Sequence, residues 1–298
     1  MLLVVAESSG SSPGRPGYKM AVGENGELAG SIGGGVMEVN LVDAARQELA
    51  EADRNGSTAR LVRQEHRTNS QHPSGMICSG EQTVIVKLLT GDDLKAVESA
   101  TSNDELELVI VPDEFRVGSA KSGMSSTTFE SRSDTDFLYT EELGRKNELV
   151  IIGGGHCALA LSELMSKTDF RIYIFDDRPE LNTIEKNEYA DQVTIVDGYD
   201  SIVDHIPECE DLYVAVMTLG YKTDAAVIRS LAGRDFKYLG VLGSKAKMAT
   251  LMRQLKAEGF DADRLDRIHT PIGIPINSHT PEEIAVSIAA EIISVKNG

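Results

Sequence analysis

Gly153, Gly155 and Ala158 spell G-x-G-x-x-A within the run Leu149-Val-Ile-Ile-Gly-Gly-Gly-His-Cys-Ala158. A turn of this kind holds phosphate through its backbone. The first glycine makes the tight turn, and the second lets a pyrophosphate approach the main chain. The small third residue lets helix and strand pack closely. Gly154 and His156 lie inside the turn, and His156 is placed to touch a ligand. An acidic residue about 20 positions on should meet a ribose hydroxyl. Asp176 stands at that distance, at the end of the next apolar run. The bland alternative is a turn kept for packing after its ligand was lost, because fold does not dictate function.

A second constellation is Gly30-Ser-Ile-Gly-Gly-Gly-Val-Met-Glu38. Gly33, Gly34 and Gly35 precede a helical pattern, so their N–H groups form an anion cradle at its start. Ser12 and Arg15 in the preceding loop, and Lys19 just upstream of the glycines, extend it into a phosphate-holding surface. The competing reading is a crowded corner where only glycine fits. Cys78, between Gly75 and Gly80, would offer a soft thiolate to a metal or to sulfur, although free cysteines are usually buried small hydrophobes. Gly243 and Ser244 open a further helix beside Lys245 and Lys247, with Ser244 as its cap. Thr280-Pro-Glu-Glu283 is a capping box that starts a helix. His269 and His279 flank the turn Pro271–Ile276 and read as structural or exposed histidines. Thr218–Tyr221 follows a strand, and such sheets bind ligands at strand carboxyl ends.

The elements that must position these residues follow from apolar periodicity. In the second half, strands are expected at Leu149–Ile152, Arg171–Phe175, Gln192–Val196, Leu212–Met217 and Tyr238–Leu242. They alternate with helices at His156–Ser166, Asp224–Ala232, Lys245–Glu258 and Pro281–Val295. Near-continuous apolar strands alternating with helices imply a parallel sheet covered on both faces. The expected fold is thus α/β, a C-terminal Rossmann-type doubly wound parallel sheet plus an N-terminal α/β domain. In the first half, Leu2–Ala6 is a strand and Ser8–Gly17 a loop. Lys19–Val22 and Glu27–Ile32 flank the hairpin signal Asn25-Gly26. Met37, Leu41, Ala44, Ala45 and Leu49 recur at helical spacing, up to Asn55-Gly56. Gly75–Gly80 reads as a loop, and Thr83–Leu88 and Leu106–Val111 as strands. Ser122–Asp136 is an exposed hairpin or a mobile loop. The polar stretch Glu141–Asn147 separates domains 1–145 and 146–298. A strand beginning at the second residue leads us to expect a segment upstream.

Composition bounds the function. The 298 residues carry a formal charge of −18, which repels a nucleic-acid backbone, so no nucleic-acid partner is expected. A local nest of N–H groups still admits a small anion. Cys78, Cys157 and Cys209 form no C-x-x-C pair, so no zinc knuckle or iron–sulfur cluster is signalled. The odd cysteine count, the lack of a secretion signal and the lack of a membrane-length apolar run lead to a cytoplasmic expectation.

The order of the motifs resembles a known family. Gly10-Ser-Ser-Pro-Gly-Arg-Pro-Gly-Tyr-Lys-Met20, Gly30-Ser-Ile-Gly-Gly-Gly35 with Glu38, and Gly75-Met-Ile-Cys78 look like the N-terminal domain of the XdhC/CoxI family. The second half is similar to its C-terminal domain at Ile152-Gly-Gly-Gly-His156, Phe175-Asp-Asp-Arg178, Val241-Leu-Gly-Ser244, Ile268-His-Thr-Pro-Ile-Gly273 and Thr280-Pro-Glu-Glu-Ile284. The resemblance implies a maturation factor, a chaperone that binds molybdenum cofactor (molybdopterin) and delivers it to a molybdenum hydroxylase apoenzyme such as xanthine dehydrogenase. It implies sulfuration with a cysteine desulfurase, and Cys78 at the metal or sulfur end of the cofactor. A homodimer is expected as well. Three isolated cysteines argue against the dehydrogenase itself. The rival reading is an NAD(P)-dependent oxidoreductase using the same turn, although no Tyr/Lys or His/Asp pairing is evident at the strand ends.

Overall fold

The computed structural model describes residues 1–51, 58–65, 80–100, 106–119, 127–144, 147–209 and 211–298. Two compact units divide the chain, Met1–Arg145 and Lys146–Gly298.

The first unit begins with β1 (Leu2–Gly10), β2 (Lys19–Val22), β3 (Leu28–Gly30), α1 (Gly35–Glu51), β4 (Arg60–Glu65) and β5 (Gly80–Lys87). Its strands form an antiparallel sheet in the order β3-β2-β1-β5-β4. Alternation along β1 lets one strand serve two layers. Leu3 and Val5 pack with Leu41, Val42 and Ala45 of α1. Val4 and Ala6 face the other way, onto Leu108, Ile110, Phe137 and Tyr139. Those residues belong to a second antiparallel sheet, ordered β7-β6-β9-β8. It comprises β6 (Leu106–Val111), β7 (Glu114–Ser119), β8 (Thr127–Ser133) and β9 (Asp136–Leu143), and α2 (Gly91–Ala100) precedes it.

One local expectation needs correction, one pair of alternatives is decided, and one helix was not foreseen. Ser8–Gly10, read as loop, continues β1 and pairs with Gln82, Glu81 and Gly80. Main-chain bonding to a neighbouring strand sustains it without apolar side chains. From Thr127 onward the polar stretch is a hairpin, β8 against β9. Helix α2 escaped notice because Leu94 and Val97, its large apolar residues, are largely exposed. Its start is closed by a reciprocal pair, in which Thr90 N donates to Asp93 Oδ2 and Asp93 N to Thr90 Oγ1.

The second unit comprises β10 (Asn147–Ile152), α3 (His156–Met165), β11 (Phe170–Asp176), α4 (Asn182–Glu185), β12 (Gln192–Ile195), β13 (Leu212–Val216), α5 (Tyr221–Leu231), β14 (Tyr238–Val241), α6 (Lys245–Ala257), α7 (Ala262–Asp266) and α8 (Pro281–Asn297). The five strands are parallel, in the order β12-β11-β10-β13-β14. Leu149 and Ile151 bury against Leu161 of α3 and Ile288 and Ile292 of α8. Val150 and Ile152 bury on the opposite face against α5, α6 and α7. This is the doubly wound Rossmann arrangement expected. The strand order turns back at β10, so the crevice outside the carboxyl ends of β10 and β13 is the switch point where such sheets take ligands. Helix α5 starts earlier than the apolar spacing suggested, because extended Gly220 (φ −169°, ψ 177°) caps it. Among the described residues no helix is long and apolar enough to cross a membrane.

Candidate functional site

At the switch point, three consecutive glycines answer three different demands. Gly153 has φ +107°, and a Cβ there would stand 2.3 Å from the Met217 carbonyl oxygen. Its N–H donates to the Phe175 carbonyl at 2.8 Å. It is therefore glycine because two strand ends close on it. Gly154 lies under the Ile184 side chain of α4, which a Cβ would meet at 2.6 Å. Its carbonyl accepts from Thr183 Oγ1 and its N–H donates to Asp176 Oδ2 at 2.6 Å. Gly155, the extended residue before α3, has an ordinary φ of −71°. A Cβ there would meet nothing within 4 Å. Nothing in the fold of this unit requires glycine at 155, and close approach of something outside the fold would. His156, next along, is exposed.

Asp176 was expected to present its carboxylate to a ribose. The structure corrects that expectation. Asp176 is fully buried. Its oxygens accept from Gly154 N, Arg178 N, Arg178 Nε and Arg178 Nη2, at 2.6 to 2.8 Å. A carboxylate has about four lone-pair sites, and four donors fill them. Burial alone would push its pKa up, but the Arg178 guanidinium and the two backbone N–H groups outweigh it and hold the carboxyl below its usual range. Asp176 thus clamps the glycine turn. The sequence placed it at the right distance, but Arg178 folding back from two residues on depends on the bend after β11.

The other rim of the crevice is a polar network that the sequence reading missed. Asp224 of α5 is fully buried and accepts from Thr218 Oγ1 and, at 2.8 Å, from Lys247 Nζ. Thr218 and Thr223 share a hydrogen bond at 2.6 Å. Lys247 stands beside an anion-friendly helix start, but its charge is committed to a carboxylate 23 residues earlier. Ser244 does cap α6, accepting from Lys247 N at 3.4 Å. Gly243 faces the Met248 side chain, 2.6 Å from where a Cβ would stand.

In the first unit the cradle at Gly33–Gly35 forms, but the chain fills it. Glu38 Oε2 accepts from Ser31 Oγ at 2.7 Å, Ile32 N at 2.8 Å and Gly34 N at 3.0 Å. Burial works against the charged carboxylate, yet these three donors hold Glu38 below its ordinary pKa. Gly33, at φ +120°, presses on the backbone of Gly14, whereas Gly34 at φ +75° has open space beside it. Ser12 is buried and donates to Gln82 Oε1 at 2.9 Å. Lys19 pairs with Glu141 and donates to the Gly17 carbonyl. Arg15 is exposed. Of these two cations, Lys19, in β2, already has a carboxylate partner. Cys78 lies outside the described residues. Cys157 and Cys209 are half-buried. Burial pushes both thiols up, and Glu282 and Glu148 add to the respective shifts. Among the described residues no group of three or more His, Cys, Asp or Glu could hold a metal ion.

The XdhC Rossmann domain matches residues 149–292, and the XdhC and CoxI family matches residues 1–63. Both matches fall on one chain in the order of the two units. This chain belongs to the XdhC and CoxI family. It is similar to YqeB of Escherichia coli K12, an uncharacterized protein, at 24% identity over 98% of this chain and 43% of that protein. It is also similar to a protein of Bacillus subtilis 168 described as a probable xanthine dehydrogenase subunit, with 26% identity over 54% of this chain and 47% of that protein. The chain thus spans less than half the length of either relative. A crystal structure of a xanthine dehydrogenase from Bacillus halodurans has the same fold, with a TM-score of 0.72 at 21% identity over 99% of this chain and 91% of that one.

Within the XdhC Rossmann domain, the crevice is suited to holding a ligand more than to moving protons. The buried or half-buried charges at the strand ends already have partners: Lys247 donates to Asp224, and Arg178 and Gly154 N donate to Asp176. Open at these strand ends are the backbone at Gly155 and Gly220 and, among others, the exposed side chains of His156 and Lys245.

Proposed function

We propose that this XdhC-family chain is a maturation factor that binds molybdenum cofactor and delivers it to a molybdenum hydroxylase apoenzyme such as xanthine dehydrogenase. The cofactor is cargo. Sulfuration by a cysteine desulfurase and a homodimeric carrier belong to the same reading. The observation that carries it is Gly155, an open glycine at a switch point whose own fold has no need of it. Molybdopterin ends in a phosphate, and a phosphate needs donors on a backbone with no side chain in the way. Gly155 and the first N–H groups of α3 would supply them. Family membership and the relative described as part of a xanthine dehydrogenase point the same way. The NAD(P)-oxidoreductase reading is weakened by two facts: Asp176 has no acceptor left for a ribose, and the strand-end charges are mutually paired.

The test is Gly155→Val. A residue with φ −71° and free space accepts a side chain, so far-UV circular dichroism should stay native. The wild-type chain, incubated anaerobically with molybdenum cofactor and desalted, should retain a pterin that fluoresces after oxidation, and the variant should not. Retention by the folded variant equal to wild type sinks the proposal.

A further inference from the structure

The second unit has a cavity that the glycine turn does not use. It holds about 400 Å³ and lies at the amino end of β14, between α5 and α7, whereas the glycine turn lies at the carboxyl ends. Ligand pockets start at about 300 Å³ and carry polar groups that fix orientation. This one exceeds that volume, and its lining is divided about equally between apolar and polar surface. Phe236, Phe260 and Leu265 form an apolar wall. Arg234, Lys237, Arg264 and Arg267 stand against only Asp235 and Asp261, an excess of cations on a chain of formal charge −18.

The cations are not equivalent. Arg234 is spent on the carbonyls of Ile206 and Pro207 and lies over the Phe236 ring. Arg264 donates to the Ala232 carbonyl and sits 3.6 Å from Asp235, and Lys237 pairs with Asp211. The Arg267 guanidinium has no side-chain partner among the described residues. Beside it, His269 is fixed by its neighbours. Its Nδ1 is 3.2 Å from Glu291 Oε1 and its ring lies 4.6 Å from that of Tyr238. Glu291 is itself held by Tyr238 Oη at 2.6 Å and Gly273 N at 2.7 Å. This leaves Nε2 as the uncommitted nitrogen of a pre-oriented imidazole.

We propose that this cavity is a binding site for a small planar aromatic carboxylate, its ring on the Phe236–Phe260 wall and its anion at Arg267. A guanidinium presents paired donors that match a carboxylate, and aromatic walls select a flat body. The volume, at the lower end for ligand pockets, limits that body to one or two rings.

The full chain contains no tryptophan, so binding of 2-naphthoate can be followed by naphthyl fluorescence without indole background. Wild type should bind 2-naphthoate about tenfold or more tighter than neutral 2-naphthamide, the effect of one charge-assisted hydrogen bond. Arg267→Gln, at an exposed position, should erase that difference and leave naphthamide binding unchanged. Phe260→Ala should weaken both. Gly155→Val should weaken neither, which separates this site from the glycine turn. Equal affinity for acid and amide in wild type, naphthoate binding unaffected by Arg267→Gln, loss of binding in Gly155→Val, or no naphthoate binding at millimolar concentration would each overturn the proposal.

Discussion

Gly153→Ala and Gly155→Ala, two positions apart in one turn, should move stability in opposite directions. At Gly153 the backbone sits at φ +107°. An L-residue there costs about 1–2 kcal/mol from backbone strain alone. The new Cβ would also stand 2.3 Å from the Met217 carbonyl oxygen, so the end of β13 must shift. Overpacking of this kind adds about 1–3 kcal/mol, for a total of about 3 kcal/mol. At Gly155 the backbone is already in an extended conformation that alanine adopts, with open space beside it. Replacing glycine there lowers the entropy of the unfolded chain and should stabilise by about 0.4–1 kcal/mol. For a unit of about 150 residues, 1 kcal/mol shifts Tm by about 2–4 °C. Calorimetry of the full chain should therefore show the second unit melting roughly 6–12 °C lower in Gly153→Ala and about 1–4 °C higher in Gly155→Ala. If Gly155→Ala destabilises by about as much as Gly153→Ala, then 155 is glycine for reasons inside the fold, and the ligand argument built on it collapses.

Two further outcomes follow from the carboxylates on the glycine turns. Asp176 has a depressed folded-state pKa, so its stabilisation is complete above the unfolded value of about 3.9 and fades as pH falls through the folded value. Asp176→Asn should cost about 2 kcal/mol at neutral pH, less than a fully buried pair because Arg178 is one-third exposed, and should flatten the acid side of the urea-midpoint profile. An unchanged acid limb would mean that Asp176 is not the clamp. Glu38→Ala should empty the first unit's cradle, so that sulfate raises the melting temperature of this variant more than that of wild type. Equal sulfate responses would show that Ile32 N and Gly34 N cannot serve an external anion.

The parallel sheet was legible because burial on both faces leaves little room for polar residues. Leu149–Ile152 and Leu212–Val216 are unbroken apolar runs, and the structure buries every one of these side chains. Where an element needs less apolar surface, the signal fades. Helix α2 keeps Leu94 and Val97 largely exposed, and Ser8–Gly10 joins a sheet through its main chain alone. The glycine turns were legible for a related reason. A positive φ or a close backbone contact excludes other residues, as at Gly33 and Gly153, and so leaves a mark in the sequence.

What occupies the amides of such a turn leaves no comparable mark. Glu38 stands four residues past Gly34, and Asp176 stands 22 past Gly154. Both spacings also suit a residue that meets a ligand. The two readings differ only in side-chain direction, which is set by the bend after β11 in one case and by the first turn of α1 in the other. The same ambiguity covers Lys247, whose partner Asp224 lies on another helix. A motif therefore locates backbone donors more reliably than it assigns their acceptors. In this chain two N–H groups that a phosphate would otherwise claim, those of Gly34 and Gly154, already bond carboxylates. The remaining case for an external ligand rests on the neighbouring glycine whose side-chain space the fold leaves open, Gly155. It is the position at which stability and ligand retention should come apart.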